Sequence, residues 1–268
     1  MKKLTSADLD HICEQQLFNL PYFRGMLRAV EQSFYEQLDL ATPILDVGAG
    51  DGHFASALFR AEPLAGIDPW LAPLKEASSR EVYGILSQAQ GDKIPFPAAS
   101  FPTVISNSVL EHIPEVQPVL NDIGRVTEPG GRFIFAVPNQ RFRTELWGME
   151  TLTQLGLGKV APNYSRVFNR MARHHNLDSP EVWVNRLHEA GFAEVEYWNY
   201  FPKWAMQMLE RGHVAGLPNL LWKKLFGKWV LFPSRGNPFL RFKKVRTLLD
   251  DPICEEGTCT FFLARRAE

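Results

Sequence analysis

The run from Ile44 to Phe59, ILDVGAGDGHFASALF, decides the fold. Ile44 to Val47 is short and apolar except at Asp46, as a buried strand is, and Phe54, Leu58 and Phe59 lie on the helix predicted after the turn at Gly48, Gly50 and Gly52. A strand that turns through glycines into a helix leaves bare backbone against a ligand, with the amides of the helix N-terminus facing it. That is a nucleotide-type site. A dinucleotide fingerprint, GxGxxG, would need its third glycine at position 53, which is His53. The spacing here is GxGxG, with Asp46 two residues before the first glycine.

Asp68 supplies an independent signal. It closes the next apolar run (PLAGIDPW) 18 residues after Gly50, where a carboxylate can accept both hydroxyl hydrogens of a ribose. Outward from this unit, β-rich runs alternate with helices: Leu64 to Ile67, Val82 to Leu86, Thr103 to Ser106 and Arg132 to Val137. Alternation of this kind implies βαβ units and a mainly parallel sheet. A helix with Pro114 near its first turn carries Val116, Val119, Leu120, Ile123 and Val126 on one face until Glu128-Pro129-Gly130-Gly131 stops it. Another has Ser179 as N-cap, Pro180 at its first position and Gly191 just past its end. Phe192 to Phe201 and Thr258 to Ala264 are the sixth and seventh strands. Before the first strand, residues 5–38 read as two helices, the first opened by a Thr5-x-x-Asp8 capping pattern.

The chain has 268 residues, 45% hydrophobic and 22% charged, which excludes a disordered or collagenous protein and leaves ample surface for a core. No stretch reaches the roughly 18 apolar residues of a membrane span. Polar Thr5, Ser6, Asp8 and Asp10 stand where a signal peptide would be apolar, so a cytoplasmic protein is expected. Cys13, Cys254 and Cys259 form no CxxC pair and no Cys/His set with zinc spacing, so reduced thiols and no metal site are expected. The net charge of -1 hides an asymmetry: residues 201–249 hold ten basic residues against Glu210 alone, a balance of +9. A locally basic surface on an acidic body points to an acidic partner or a membrane face for that segment.

These motifs resemble the class I S-adenosylmethionine-dependent methyltransferases, in the broad group that includes ubiquinone and menaquinone methyltransferases. The likeness covers about 43–139 and runs through LDVGAGDG, GIDPW, IPFPAASF, SNSVLEHI and EPGGRFIFAVPN in the family's order, with SPEVWVNRLHEAGF similar to its last helix. It implies a Rossmann-like, seven-stranded, mostly parallel sheet with helices on both faces. It also implies S-adenosyl-L-methionine as cofactor, with Gly48, Gly50 and Gly52 beside its methionine part, Asp46 supporting the loop and Asp68 on the ribose. Ser106 and Asn107 would line the opening through which the methyl group leaves. Where the family has an acidic residue for the adenine, this chain has Gln90, with Asp92 two residues on; Pro102 replaces a usual aspartate.

The resulting division is a single methyltransferase domain over 1–268. It has an N-terminal helical lid (1–40), a cofactor-binding core (41–139), a substrate cap inserted after strand five (140–177), sheet completion (178–201 and 258–266) and a basic aromatic insertion between strands six and seven (202–257). Transfer from a sulfonium to an O, N or C atom relies on positioning and desolvation, and a hydroxyl acceptor gains from a general base. His112 and His175 are the candidates, each weighed against a structural role. Asn107-Ser108-Val109-Leu110 is not the Asn/Asp-Pro-Pro-aromatic motif of base-amine methylation, which disfavours DNA adenine; nucleic acid is not the expected partner, although other RNA targets stay open.

In the last insertion, Leu221, Trp222, Leu225, Phe226, Trp229 and Val230 fall at helical spacing with Lys224 and Lys228 on another face. Such a helix lies in a membrane interface, or else packs on the sheet or over the active site. Peripheral contact with the inner face of a membrane through 203–246 is therefore one expectation. Three readings remain open: a methyltransferase of a small, hydrophobic or lipid-like acceptor; one acting on a soluble intermediate; and a non-catalytic cofactor-binding scaffold whose basic insertion binds RNA or a protein. The oligomeric state is not legible.

Overall fold

The computed structural model describes residues 2–59, 64–215 and 217–268; the side chains of 214, 215 and 217–221 lie outside that description. Its strands are β1 (Ile44–Val47), β2 (Leu64–Asp68), β3 (Tyr83–Gln88), β4 (Phe101–Asn107), β5 (Thr127–Pro138), β6 (Phe192–Tyr200) and β7 (Cys259–Arg266). The helices are α1 (Ser6–Leu17), α2 (Tyr22–Tyr35), α3 (His53–Leu58), α4 (Leu71–Ser78), α5 (Val116–Val126), α6 (Trp147–Gln154), α7 (Ala161–Met171), α8 (Pro180–Glu189), α9 (Lys203–Ala215), α10 (Leu217–Phe226) and α11 (Phe242–Asp250). They fall into two compact units. A sheet unit comprises Leu40–Gln140, Asn169–Trp198 and Cys259–Glu268, and a helical unit comprises Met1–Asp39, Arg141–Phe168 and Asn199–Thr258. The helical unit takes in most of the segments expected as lid and basic insertion, but only residues 141–168 of the expected cap (140–177), the rest of which belongs to the sheet unit.

In the sheet unit the seven strands run in the order β3-β2-β1-β4-β5-β7-β6. The pairs β2–β3, β1–β2, β1–β4 and β4–β5 are parallel, and β7 is antiparallel to β5. The order reverses direction between β1 and β4, and in open α/β sheets the crevice at that switch point, beyond the carboxyl ends of the strands, is where ligands bind. Strands β1 and β2 are buried along their whole length, as parallel strands covered on both faces must be, which is why they read as near-continuous apolar runs. Phe135 stacks on Phe262 across the β5–β7 pair at 4.6 Å, and Trp183 of α8 packs beside them. The stripe Val116, Val119, Leu120, Ile123 and Val126 of α5 is buried in the same core.

Element edges differ from the sequence expectation where turn chemistry outweighs pattern. Pro114 lies just ahead of α5, near its first turn as expected, the helix starting at Val116. Strand β5 starts at Thr127, where the chain turns extended directly after α5, and it carries the Pro-Gly-Gly turn within it with Gly130 at φ +70°. Ser179 does cap α8 by position, but its hydroxyl serves the Glu181 carboxylate, whose pKa it lowers, rather than a backbone amide.

The helical unit opens with the predicted capping box: the Thr5 hydroxyl accepts from the Asp8 amide at 3.2 Å and the Asp8 carboxylate accepts from the Thr5 amide at 2.8 Å. Helix α1 packs on α2 and α11, and α2 on α9. Polar residues sit inside this packing in pairs. The Gln16 side chain donates to Gln32 at 2.8 Å, Gln32 donates to Gln15 at 2.7 Å, and Tyr200 donates to buried Glu31 at 2.9 Å.

Part of the basic excess of 201–249 is neutralised internally. Arg235 pairs with Glu14 at 2.6 Å and Asp10 at 3.0 Å, Arg246 with Asp10 at 2.7 Å and Asp250 at 2.5 Å, and Lys203 with Glu150 at 3.0 Å. The helix expected to run from Leu221 to Val230 is corrected. Helix α10 ends at Phe226, Gly227 takes φ +69°, and Lys228, Trp229 and Val230 lie beyond it, so Trp229 and Val230 do not extend an apolar helical face. The Leu221 side chain lies outside the described residues. Among the described residues no helix is long and apolar enough to cross a membrane.

Candidate active site

The site lies at the carboxyl ends of β1, β2 and β4, and the three glycines after β1 play three different parts. The amides of Gly48 and Ala49 both donate to the Ile67 carbonyl, at 2.8 and 2.9 Å, fastening the loop to β2. Gly48 has φ +86°, and a Cβ there would lie 2.5 Å from Val109. Gly52, at φ +69°, caps α3 and a Cβ there would press on Ala77 and Tyr83 at 3.1 Å. Gly50, at φ +55°, faces open space, the nearest atom to its ideal Cβ being the Gly48 carbonyl oxygen at 3.9 Å. Steric need therefore fixes Gly48 and Gly52, while Gly50 leaves room for a ligand to approach the backbone.

Asp68 ends β2 and is buried. One of its oxygens accepts from the Gly50 amide at 3.0 Å and the other from the Trp70 amide at 2.8 Å. Each carboxylate oxygen has a second lone-pair site, so Asp68 shapes the loop and keeps the capacity to accept from ribose hydroxyls. Behind the loop, buried Asp46 accepts from the Tyr83 hydroxyl at 2.6 Å, and burial together with the Asp46 charge pushes the Tyr83 phenol well above its ordinary range. Tyr83 is thereby fixed as a donor. Arg80 donates to the Asp51 carbonyl at 2.6 Å on the far side of the loop. Gln90 and Asp92 are exposed in the turn after β3, a turn held to β2 by the Ala89 amide donating to the Asp68 carbonyl at 3.2 Å. Open backbone at Gly50 beside an acceptor carboxylate fits a nucleoside with a polar tail, as the resemblance implies.

At the end of β4, the Ser106 hydroxyl donates to the Val47 carbonyl at 2.8 Å, and Asn107 is buried as the strand's last residue. The chain then passes through Ser108, at φ +52°, into a single turn, Leu110–His112. This turn is clamped from one side. The Glu111 carbonyl accepts from the amides of His175 (2.7 Å) and Asn176 (3.1 Å), and the Asn176 side chain donates to the carbonyls of Ile113 (2.6 Å) and Leu110 (3.3 Å).

His112 Nδ1 lies 3.2 Å from the Arg173 carbonyl, which can only accept, so in the neutral ring Nδ1 carries the proton and Nε2 is the basic nitrogen. That Nε2 is 3.7 Å from a Glu111 oxygen. The ring stacks on His174 at 5.5 Å, and His174 in turn contacts the Asn169 side chain at 3.0 Å. One ligand atom from each of Glu111, His112 and His174 lies within 4.8 Å of the others, a set able to share a proton or hold a cation.

Of the two predicted bases, His112 enters this constellation. His175 reaches the turn only through its backbone amide, its ring being exposed. Its neighbour His174 provides the partner ring. Tyr83 and Asn176 are the residues sequence reasoning missed. His174 stands beside the predicted His175 in the sequence, whereas nothing local marks Tyr83 or Asn176.

Residues 45–135 match the family described as "Methyltransferase domain". An uncharacterised methyltransferase of Mycobacterium sp. (strain KMS) is 35% identical over 177 residues, covering 60% of this chain and 67% of the relative. Among solved structures, a Thermotoga maritima S-adenosylmethionine-dependent methyltransferase, a possible histamine N-methyltransferase, superposes with a TM-score of 0.57 at 16% identity over 89% of each chain. Haemonchus contortus phosphoethanolamine N-methyltransferase 2, in complex with S-adenosyl-L-methionine, superposes at 0.54 and 16% identity over 98% of this chain and 58% of that one. At such identities the superpositions establish the fold, and the family follows from the sequence matches. A glycine loop that leaves Gly50 open beside Asp68 is what such a sheet needs to hold S-adenosyl-L-methionine as its cofactor, and the chain belongs to the class I S-adenosylmethionine-dependent methyltransferases.

Proposed function

We propose that the enzyme methylates a small, hydrophobic or lipid-like acceptor, with His112 taking up the proton when the accepting atom is a hydroxyl. The observation that carries the acceptor class is the apolar surface of the insertion after β5, where Leu155, Leu157, Val160 and Val167 are all exposed among the described residues. Singly exposed apolar side chains are ordinary, but four within thirteen residues of a segment predicted to cover the acceptor mark a binding surface. Peripheral residence at the inner face of a membrane suits such an acceptor.

When bound, the cofactor supplies an electrophilic methyl group on a sulfonium. The chain's own residues do the rest. Gly50 and Asp68 orient the cofactor, Gln90 and Asp92 are the candidates for its adenine, and Asn107 lies at the end of β4 where the acceptor arrives. His112 Nδ1 is turned to the Arg173 carbonyl, and Glu111, 3.7 Å from Nε2, would stabilise the imidazolium that forms on proton uptake.

Calorimetry with S-adenosylmethionine and S-adenosylhomocysteine, with NAD as control and Asp68→Ala beside the wild type, establishes the loaded protein. Radiolabelled methyl transfer is then measured against isoprenoid quinols and lipid extracts, and against small polar amines. Label in the organic phase, reduced at least about a hundredfold in His112→Ala, is the expected result for a hydroxyl acceptor. Label confined to polar amines overturns the hydrophobic acceptor.

A further inference from the structure

The helical unit holds large apolar side chains out to solvent where it also gathers cations. Between positions 222 and 239, Leu225 is 61%, Phe226 57%, Phe232 76% and Phe239 82% exposed. The two most exposed rings stand on a built loop. Asn237 donates to the Phe232 carbonyl at 2.8 Å and accepts from the Phe239 amide at 3.0 Å, and Arg235 between them is tied to Asp10 and Glu14 of α1. An ordered loop that presents phenylalanines outward costs solvation free energy with no return inside the unit.

Charge says what covers it. Arg235 and Arg246 are consumed by acids of the same unit, whereas Lys224 and Lys228 are exposed and form no ion pair among the described residues. No carboxylate occurs between Glu210 and Asp250. Exposed Phe and Leu interleaved with unpaired lysines, and free of acids, match an interface that is apolar below and anionic above.

We propose that the segment 222–239 docks on the surface of an anionic lipid bilayer, with Phe226, Phe232 and Phe239 entering the headgroup region and Lys224 and Lys228 meeting the phosphates. This gives the peripheral residence proposed above its surface and rests on that reading, but not on the identity of the acceptor. The lysine stems can lie along apolar lipid while their ammonium groups stay at the phosphates.

The test is co-sedimentation of the full chain with phosphatidylcholine vesicles and with phosphatidylcholine–phosphatidylglycerol vesicles. Binding is expected to the second only, and to weaken sharply as salt is raised from about 0.1 M to about 1 M, where the screening length falls to roughly 3 Å. Phe232→Ser/Phe239→Ser and Lys224→Glu/Lys228→Glu are each expected to lower partition about tenfold or more. Each variant should keep wild-type affinity for S-adenosylhomocysteine by calorimetry, which shows that it is folded. No binding of the wild type to anionic vesicles overturns the proposal, as does unchanged binding of both variants. A wild-type dimer that Phe232→Ser/Phe239→Ser converts to monomer also overturns it, assigning the surface to a second copy of the chain. Vesicle binding retained by a protein that binds no S-adenosylhomocysteine and transfers no methyl group would instead remove the functional reading and leave the surface standing.

Discussion

A Cβ on Gly48 would sit 2.5 Å from Cγ2 of Val109, so the loop after β1 and the turn after β4 are in contact with no room for a side chain between them. The first glycine of the motif is therefore a joint between the two strands that flank the switch point. Gly48→Ala combines that clash with an unfavourable φ of +86° and should cost about 2–4 kcal/mol of stability. Gly50→Ala meets nothing within 3.9 Å and should cost only about 1 kcal/mol, for its φ of +55°. Thermal melts should separate the two, while calorimetry with S-adenosylhomocysteine should show Gly50→Ala weakened about tenfold or more by the methyl group alone.

Asp68 has two duties that a single substitution can part. Asp68→Asn keeps one acceptor oxygen but turns an NH2 group toward either the Gly50 or the Trp70 amide, both of which donate to it. Loss of one charge-assisted bond, with a donor facing a donor, should cost about 2–3 kcal/mol and weaken cofactor binding more than Glu would. An Asn variant that binds S-adenosylhomocysteine as tightly as wild type would show that neither duty matters to affinity.

Asn176 is expected to act on turnover through the turn it clamps. Asn176→Asp replaces both donated bonds by a carboxylate facing the Leu110 and Ile113 carbonyls. Methyl transfer should fall at least about tenfold with cofactor affinity nearly unchanged. Equal losses in affinity and turnover would mean that the substitution disrupts the sheet unit as a whole.

Glu210 holds together three elements of the helical unit. It is buried on α9 and accepts from the amides of Trp147 and Gly148 at the start of α6 and from the Tyr164 hydroxyl of α7 at 2.5 Å. Glu210→Gln leaves one acceptor oxygen for three donors and should destabilise the protein by about 2–4 kcal/mol, read by denaturant melts. Tyr164→Phe, which removes one donor and leaves the two amides paired, should cost less.

Alkaline stability gives a check with a defined sign. Burial pushes the Cys13 thiol up to about 12, and burial with the Asp46 charge pushes the Tyr83 phenol up as well. For a group whose pKa is raised by folding, the unfolded chain loses its proton first, so the stability it contributes is complete below the unfolded pKa and drains away as pH rises toward the folded one. Denaturation midpoints should therefore fall from about pH 9 upward, near the pKa of an unburied thiol, and more steeply above about pH 10, where an unburied phenol ionises. Tyr83→Phe should flatten the second part of the curve, at a cost in stability at neutral pH from the hydrogen bond that buried Asp46 loses.

The cofactor half of the site is legible in the sequence because its chemistry is local. Strand, glycines and helix are contiguous from Ile44, and Asp68 ends the very next strand, so spacing alone joins them. His112 is legible for the same reason, lying five residues beyond Asn107. Its neighbours are not, because His174 and Asn176 return to the turn after more than sixty residues, and no periodicity records such a return. The misplaced helix end at Phe226 has a simpler cause. The apolar spacing of Trp229 and Val230 continues past Gly227, whose positive φ stops the helix however apolar the next residues are.

The interleaving of the two units bears on how the chain is made. Both are assembled from three separate stretches, and each is completed by its third, the helical unit by the stretch through Thr258 and the sheet by β7 from Cys259. As the polypeptide leaves the ribosome, α1 and α2 must wait for α9 and α11, and β5, paired with β4 on one side, must wait for β7 on the other. Each unit therefore leaves packing surface open to chaperones and proteases until its own last stretch has been made.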